Sequence, residues 1–162
     1  MSTKSIFIYL IVVILLIAVL TFFGSNQVSQ TTASLNDPSR PQAMLEVDQF
    51  DFGDMTNDDI KEHEFTITNN GEQDLILTKV STSCDCTYAY IIKDQQSSPK
   101  FTMHGTSNWS INLKKGEQVI VKVVYEPAIM PTQGRVSRVV SVATNDPANP
   151  TISFTVNANV TI

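Results

Sequence analysis

Apolar and polar residues alternate along residues 151–162, TISFTVNANVTI. An alternation of period two is typical of a β-strand that buries one face and exposes the other. HEFTITNNG and EQVIVKVVYEP show the same alternation. Together the three stretches predict the following inward-facing residues: His63, Phe65, Ile67, Val119, Val121, Val123, Tyr125, Ile152, Phe154, Val156, Ala158, Val160 and Ile162. No stretch after residue 43 has the period of an amphipathic helix.

Turn-forming residues separate these apolar stretches. Asn69-Asn70-Gly71 follows one of them, and Asn145-Asp146-Pro147 precedes another. Residues of these types favour turns because their backbone or side chain supports tight reversals. Roughly seven strands in about 120 residues, each with one apolar face, predict two packed sheets. We therefore expect an all-β fold at residues 43–162, an immunoglobulin-like antiparallel β-sandwich of about seven strands.

The first strand region contains one irregularity. Leu45 and Val47 share one parity, whereas Phe50 and Phe52 share the other. A strand cannot bury both pairs on one face without an extra residue or a change of direction. The sequence predicts a bulge or a change of sheet between Val47 and Phe50.

The run Ile6–Phe23 contains eighteen residues without a charge, a proline or a glycine. That length is enough for a helix to cross the hydrocarbon core of a bilayer. It exceeds the apolar region of most secretory signal peptides, and bulky phenylalanines stand where a cleavage site needs small residues. We expect an uncleaved signal anchor: residues 1–4 as a cytoplasmic end and residues 5–24 as one transmembrane helix.

Basic residues predict the orientation of this anchor. Lys4 precedes the apolar run, and the next basic residue is Arg40. Because basic flanks stay in the cytoplasm, the N-terminus is expected there. Residues 25–42 are polar and rich in Ser, Thr, Asn and Gln, which predicts a flexible linker. The chain is thus expected to be a single-pass protein of the cell membrane, with its C-terminal domain in the periplasm or outside the cell.

The charge of the exported part limits its partners. Without Lys4, ten of the eleven basic residues remain against sixteen acidic residues, a net charge of about −6. Such a charge argues against binding to nucleic acid through a basic surface. The expected partners are the membrane, through residues 6–23, and another protein of the cell envelope.

Five segments stand out along residues 50–147: FDFGDM, HEFTITNNGEQDLILTKV, SCDCT, KKGEQVIVKVVYEP and TNDP. Together they resemble a known bacterial family of exported immunoglobulin-like domains, domain of unknown function fifteen seventy-three. The resemblance covers nearly all of residues 46 to 160, and its most specific part is Ser-Cys-x-Cys-Thr. This chain has Asp85 where the family usually has glycine. The resemblance implies a fold more than an activity.

The two cysteines, Cys84 and Cys86, have three alternative roles. In the stretch DLILTKVSTSCDCTYAYII, read as one strand, both share the more apolar parity with residues such as Ile76, Val80 and Ile92. They could therefore be small core residues. A disulfide between them would need a bend at Asp85, since positions i and i+2 of a strand are too far apart. A bonded pair would be a candidate for redox exchange.

Metal binding is the third alternative for the cysteine pair. Two thiolates on one face could hold a soft ion such as Cu(I). Met103 and His104 could complete this copper site if the loop Lys93 to Asn108 folds back over the cysteines. The four candidate metal ligands are therefore Cys84, Cys86, Met103 and His104, although no copper or other cofactor is required by the spacing.

Other candidate sites are weaker. His63 is expected at the edge of the core rather than as a ligand or a base. Trp109 shares parity with Ile111 and Leu113, and is expected in the core. A cluster of acidic residues could offer oxygens to calcium, but without EF-hand spacing it is better explained by solubility and protection of strand edges. The cluster comprises Asp48, Asp51, Asp54, Asp58, Asp59, Glu62 and Glu64.

Two functions remain open at this point. The sequence contains no catalytic triad, phosphate-binding loop or HExxH helix, which favours a non-enzymatic interaction module that binds another envelope protein, for example through an open sheet edge. The alternative is a thiol redox or Cu(I)-handling envelope protein that uses Cys84 and Cys86. Removal of both cysteines should spare partner binding in the first case and abolish activity in the second.

Overall fold

The computed structural model describes Val13, residues 34–105 and residues 108–161. In this part of the chain ten strands form two five-stranded sheets. The strands are β1 Ala43–Leu45, β2 Gln49–Thr56, β3 Lys61–Asn69, β4 Leu75–Thr82, β5 Thr87–Lys93, β6 Gln96–Ser97, β7 Ser110–Leu113, β8 Gln118–Tyr125, β9 Gly134–Thr144 and β10 Thr151–Thr161. A single turn of 3-10 helix, Pro127–Ile129, follows β8.

The two sheets pack face to face around one main core. The first has the order β1-β3-β8-β5-β6 and the second the order β2-β10-β9-β4-β7. Their inward faces supply the buried residues of the core, among them Phe65, Val121 and Phe154. The alternation predicted for β3, β8 and β10 is confirmed within the described residues, except at the end of β8, where Val124 is buried together with its neighbours Val123 and Tyr125.

The all-β prediction is confirmed, and the details of the sheets differ from it. About seven strands were expected, but β1, β6 and β7 are additional short strands of two to four residues at sheet edges. An antiparallel sandwich was expected, but β2 pairs with β10 in parallel. This parallel pair arises because the chain crosses from one sheet to the other after β1 and enters the second sheet at its edge.

The predicted irregularity between Val47 and Phe50 is a change of sheet. Residues 43–45 pair with β3 in the first sheet, and residues from Gln49 onward pair with β10 in the second. The change of parity therefore reflects two strands in different sheets; of the four residues, Leu45 and Phe52 pack against the core, whereas Val47 and Phe50 are exposed.

The prediction of one continuous strand through the cysteines is wrong. β4 buries Leu75 and Leu77, and Ile76 is only partly buried. Lys79 has φ 47° and lies at a register shift between β4 and β9, after which Val80 and Thr82 face inward. One extra residue in a strand reverses which side chains face the core. The chain then turns at residues 83–86 into β5 of the other sheet.

The predicted membrane anchor, residues 5–24, and cytoplasmic end, residues 1–4, lie outside the described residues apart from Val13. Nowhere in the described residues does a helix have the length and apolar character needed to span a bilayer. Part of the predicted linker, residues 25–42, is described from residue 34 onward.

The last part of that linker, residues 37–42, is bound to the sandwich and is called the N-terminal arm below. Arg40 forms an ion pair with the buried Asp146 at 2.5 Å. The backbone N–H of Gln73 donates to the carbonyl of Ser39 at 3.0 Å. The ordered domain thus begins before Ala43, at the end of the sandwich where β3 ends.

Asp146 is the centre of this attachment. Its carboxylate accepts hydrogen bonds from the N–H groups of Ala43 and Ala148 and from the side chain of Asn149. Burial raises the pKa of Asp146. The hydrogen bonds and the charge of Arg40 outweigh burial and hold that pKa below its ordinary value. Asp146 is therefore an ionised group that binds the arm to the β9–β10 turn.

Gly71 lies beneath the N-terminal arm. A Cβ atom at this position would be 2.6 Å from the backbone nitrogen of Gln42 and 2.8 Å from the Cα of Pro41. These contacts are closer than real Cβ atoms allow, and both involve backbone atoms. The arm can therefore approach the β3–β4 turn only because residue 71 has no side chain.

Candidate functional site: the disulfide end of the sandwich

Cys84 and Cys86 form a disulfide in the turn between β4 and β5, with their Cα atoms 5.3 Å apart. The distance expected for a regular strand does not apply, because the cysteines lie in a turn that connects the two sheets. Asp85, the residue between them, is not among the described residues that have a positive φ. An aspartate is therefore tolerated where the family usually has glycine.

Hydrogen bonds to neighbouring strands fix this turn. The N–H of Ser83 donates to the carbonyl of Val139 at 2.8 Å, and the N–H of Val139 donates to Oγ of Ser83 at 3.0 Å. The hydroxyl of Thr82 donates to the carbonyl of Cys84 at 2.8 Å. On the other side, the N–H of Glu126 donates to the carbonyl of Cys86 at 2.9 Å. The turn is thus held by both sheets.

Both cysteines are buried as well as bonded. Cys84 is 8% exposed and Cys86 is fully buried. They pack in a second, smaller core cluster with Met55, Tyr125 and Val160. The predicted burial and the predicted bend at Asp85 both occur. Low exposure hinders attack by an external thiolate, which must reach a sulfur atom to exchange.

Arg138 and Tyr125 lie close together at the disulfide cluster, a contact that the sequence did not predict. Arg138 is on the inward parity of β9, and its guanidinium lies 5.6 Å from the centre of the Tyr125 ring. The Tyr125 hydroxyl and Nε of Arg138 are buried and have no hydrogen-bond partner among the described residues. In sequence, Arg138 lies between Ser137 and Val139. Because charged residues are rarely buried, the sequence did not predict that Arg138 faces inward.

Met103 and His104 lie in a turn that folds back toward the cysteines, as the copper prediction required. The N–H of Thr82 donates to the carbonyl of Thr102 at 3.3 Å, and Nε2 of His104 is 4.0 Å from Oδ2 of Asp85. The disulfide, however, leaves no thiolate to bind Cu(I). Within the described residues no group of three or more His, Cys, Asp or Glu side chains is placed to hold a metal ion. The copper site stays a prediction that would apply only to the reduced protein.

Four large hydrophobic side chains are exposed around the disulfide turn. Ile60 is 61% exposed, Met130 50%, Met103 45% and Ile129 44%. They come from three separate loops at the end of the sandwich where β3 begins and β8 ends. We call this surface the disulfide rim, defined by Ile60, residues 83–86, Met103, Ile129 and Met130.

Hydrogen bonds connect two of the loops of the disulfide rim. The side chain of Asn57 donates to the carbonyl of Thr132 at 3.2 Å, and the N–H of Thr132 donates back to Oδ1 of Asn57 at 3.2 Å. These reciprocal bonds hold the loop of Ile60 beside the loop of Met130. The hydrophobic side chains therefore project from a fixed framework.

Acidic side chains surround the rim. Asp58 and Asp59 precede Ile60, Asp85 lies in the disulfide turn, and Glu126 follows β8. Glu126 accepts a hydrogen bond from the hydroxyl of Tyr88 at 3.2 Å. Burial raises the pKa of Tyr88, and the bond to Glu126 raises it further. Tyr88 therefore stays a neutral donor to the glutamate.

The edges of the two sheets are less suited to binding a strand of a partner protein than the sequence suggested. The ammonium of Lys61 donates to the carbonyls of Phe52 and Asp54, both at 2.8 Å. A lysine that occupies the carbonyls of an edge strand blocks their pairing with another chain. The edge strands β1, β6 and β7 are short. The exposed hydrophobic side chains of the rim are thus a better candidate surface.

His63 lies at the edge of the core, as expected. Its ring stacks on Phe50 with 3.7 Å between ring centres and meets the edge of Phe65 at 4.7 Å. Burial lowers the pKa of His63, and the nearby Glu64 opposes this only in part. His63 is therefore a neutral aromatic spacer at the margin of the two sheets.

Trp109 and Asp59, a member of the acidic cluster, have structural roles in the described chain. Trp109 is partly buried and contacts Phe101 at 5.0 Å between ring centres, which agrees with a core position. Asp59 accepts from the N–H of Thr56 at 2.6 Å, and this bond lowers the pKa of Asp59. The acidic residues do not converge on one point.

Similarity to solved structures supports the fold. A protein of unknown function from Porphyromonas gingivalis W83 is 18% identical with a TM-score of 0.59, over 78% of this chain and 50% of that chain. The chain thus spans about half the length of that relative. The ASH or PapD-like domain 7 of human CEP192 is 15% identical with a TM-score of 0.51, over 83% of this chain and 95% of that chain.

A family 123 glycoside hydrolase from Clostridium perfringens is 11% identical with a TM-score of 0.52, over 72% of this chain and 23% of that chain. At such identities these likenesses establish an immunoglobulin-like or PapD-like β-sandwich and nothing about activity. No curated protein is significantly similar to this chain in sequence. The family described as Protein of unknown function (DUF1573) matches residues 44–103, a segment that includes both cysteines. The resemblance predicted from Ser-Cys-x-Cys-Thr and its neighbouring segments is therefore confirmed over residues 44–103, the part of the chain that is similar to the DUF1573 family.

Proposed function

We propose that this chain is a membrane-anchored interaction module of the cell envelope, without enzymatic activity, that binds another envelope protein through the disulfide rim. The observation that carries the proposal is the exposure of four large hydrophobic side chains around one disulfide-bonded turn. Exposed apolar side chains that lie together are typical of protein interaction sites. Residues that dominate the affinity of such sites cluster near the centre of the interface, where surrounding contacts exclude water.

The position of the disulfide rim supports this role. The N-terminal arm binds at the opposite end of β3, near Asn69 and Asp146. If residues 6–23 span the membrane with the N-terminus in the cytoplasm, the rim is at the end of the domain away from the linker. An exposed rim at that end is accessible to a neighbouring envelope protein.

The disulfide contributes to this surface as a local structural bond. The fully buried Cys86 and the nearly buried Cys84 support a structural role over rapid exchange with other thiols. The bonded pair joins the ends of a turn that connects the two sheets. We expect it to fix the shape of the rim.

A test of the proposal compares two double variants of the full chain in its native cell envelope. Ile60→Ser with Met130→Ser removes two rim side chains. Met44→Ser with Val47→Ser removes two exposed apolar side chains elsewhere and is the matched control. After mild detergent extraction, size-exclusion chromatography should show the rim variant leaving a hetero-complex that the control retains. Equal elution of both variants, or a complex of this chain alone, would contradict the proposal.

The membrane anchor has its own test. The full chain should stay with membranes after alkaline carbonate extraction, and protease added to the outer side of the cytoplasmic membrane should degrade residues 43–162. Release by carbonate would contradict anchoring through residues 6–23. Protection of the domain in intact spheroplasts would contradict its extracytoplasmic location.

Thiol redox is the second candidate function, favoured by the bonded state of the pair. Exchange would begin at Cys84, the more exposed of the two. An incoming thiolate would form a mixed disulfide with Cys84, and Cys86 would leave as a thiolate. Replacement of both cysteines by alanine distinguishes the functions, since a redox protein loses all activity, whereas an interaction module keeps its partner with an affinity weakened by the looser turn.

A further inference from the structure

A polar groove lies on the outer face of the second sheet and contains none of the disulfide rim residues. It crosses β2, β10 and β9 and has a volume of about 450 Å³. The pairing of β10 with β2 and β9 places the side chains of the groove in two rows across the three strands. Asp54, Asn159 and Arg135 form one row, with Asn159 opposite both of the others.

The second row of the groove consists of Asp51, Asn157 and Ser137. Between the two rows β10 advances by two residues and β2 by three, which identifies one extra residue in β2. Gly53, with φ 69°, lies at this bulge and has open space where a Cβ would be. In a regular strand Asp51 and Asp54 would face opposite sides. The bulge brings both carboxylates to the groove.

The groove has opposite charges on its two walls. Asp51 and Asp54 lie on β2, whereas Arg135 lies on β9, two strands away. Strands two positions apart are separated by ~10 Å, so long side chains from both walls can reach one small ligand between them. None of the three forms a salt bridge with another described residue. Asn159 donates to Asp54 at 2.7 Å, which orients that carboxylate.

We infer that this groove binds a small zwitterion, with its ammonium group at Asp51 and Asp54 and its carboxylate at Arg135. An arginine guanidinium recognises a carboxylate through two parallel hydrogen bonds. A pair of carboxylates attracts an ammonium group, because a nearby opposite charge favours the protonated form of an amine. The amides of Asn157 and Asn159 on the floor can bond the peptide or amide part of the ligand. The ligand class is a free amino acid or a short peptide with free termini.

The test uses isothermal titration calorimetry on the full chain in detergent micelles. The probes are glycine, diglycine, diglycine amide and N-acetyl-diglycine, which separate a free amino acid from a peptide and remove each charge in turn. We expect a zwitterionic probe to bind in the millimolar range. Loss of either ligand charge should weaken binding at least about tenfold, the effect of one lost charged hydrogen bond.

Variants of the groove complete the test. Arg135→Gln and Asp54→Asn should each weaken zwitterion binding at least about tenfold. Lys100→Gln and Asp58→Asn change the same charges elsewhere on the surface and should leave binding unchanged. Both groove side chains are exposed, so folding should persist in their variants, as circular dichroism can verify. Equal binding of all four probes, no binding of either zwitterion at ~50 mM, or unchanged affinity in Arg135→Gln would overturn the inference.

Discussion

The disulfide should contribute only modestly to the stability of the domain, because the loop that it closes is very short. Cys84 and Cys86 are two positions apart, so the closed loop contains three residues. In the chain-entropy description, a loop of about three residues removes ~5.4 cal/mol/K from the unfolded state, which is ~1.6 kcal/mol at 25 °C. Most native disulfides close longer loops and contribute about 2–4 kcal/mol.

Urea unfolding with and without a phosphine reductant measures this contribution directly. Residues 32–162 form one compact unit and are the appropriate sample, once a cooperative transition has been shown. For an m-value near 1.5 kcal/mol/M, reduction should lower the midpoint by about 1 M. A loss above ~4 kcal/mol, or loss of cooperative folding, would refute the reasoning and make the disulfide a global requirement for the fold. An unchanged midpoint would also contradict the prediction, because the disulfide would then contribute nothing to the stability of the domain.

Three further predictions concern residues outside the rim. Gly71→Ala should destabilise the domain by ~2–3 kcal/mol, because its Cβ would displace the backbone of residues 40–42; an unchanged midpoint of urea unfolding relative to wild type would contradict this. Asp146→Asn should cost ~3 kcal/mol at neutral pH. Because the native pKa of Asp146 is depressed, its contribution is complete above the unfolded pKa of ~3.9 and is lost as pH falls through the native value, so acid should narrow the difference between wild type and variant. Lys61→Gln should promote self-association by light scattering, since it frees carbonyls of an edge strand; a variant that stays monomeric would contradict this role.

The sequence predicted the sandwich because its long strands each bury one face. In β3 and β10 the buried positions alternate without interruption, and in β8 they do so until Val124, which is also buried. Parity failed within β4, where Lys79 adopts a positive φ, a conformation that glycine adopts far more readily than other residues. The resulting shift depends on pairing with β9, a contact distant in sequence. Edge strands of two to four residues were missed because so few positions show no period.

The candidate site was predicted in part. The cysteine pair was apparent from sequence, and its three roles could be separated only after the turn was placed between two sheets. The hydrophobic residues of the rim were missed because Ile60, Met103 and Met130 come from distant loops. One signal was present in PAIMP, where apolar residues stand between two prolines and cannot belong to a strand interior. The groove had a similar signal in FDFGDM, a glycine inside a strand pattern beside two aspartates.

Site-specific photocrosslinking in living cells can show whether the disulfide rim contacts the partner protein. A photoreactive residue is placed at Ile60 or Met130 of the disulfide rim, and at Val47 as an exposed apolar control. We expect a discrete adduct with one other envelope protein from both rim positions and none from Val47. An adduct that forms equally from Val47, or only from Val47, would contradict the rim as the binding surface.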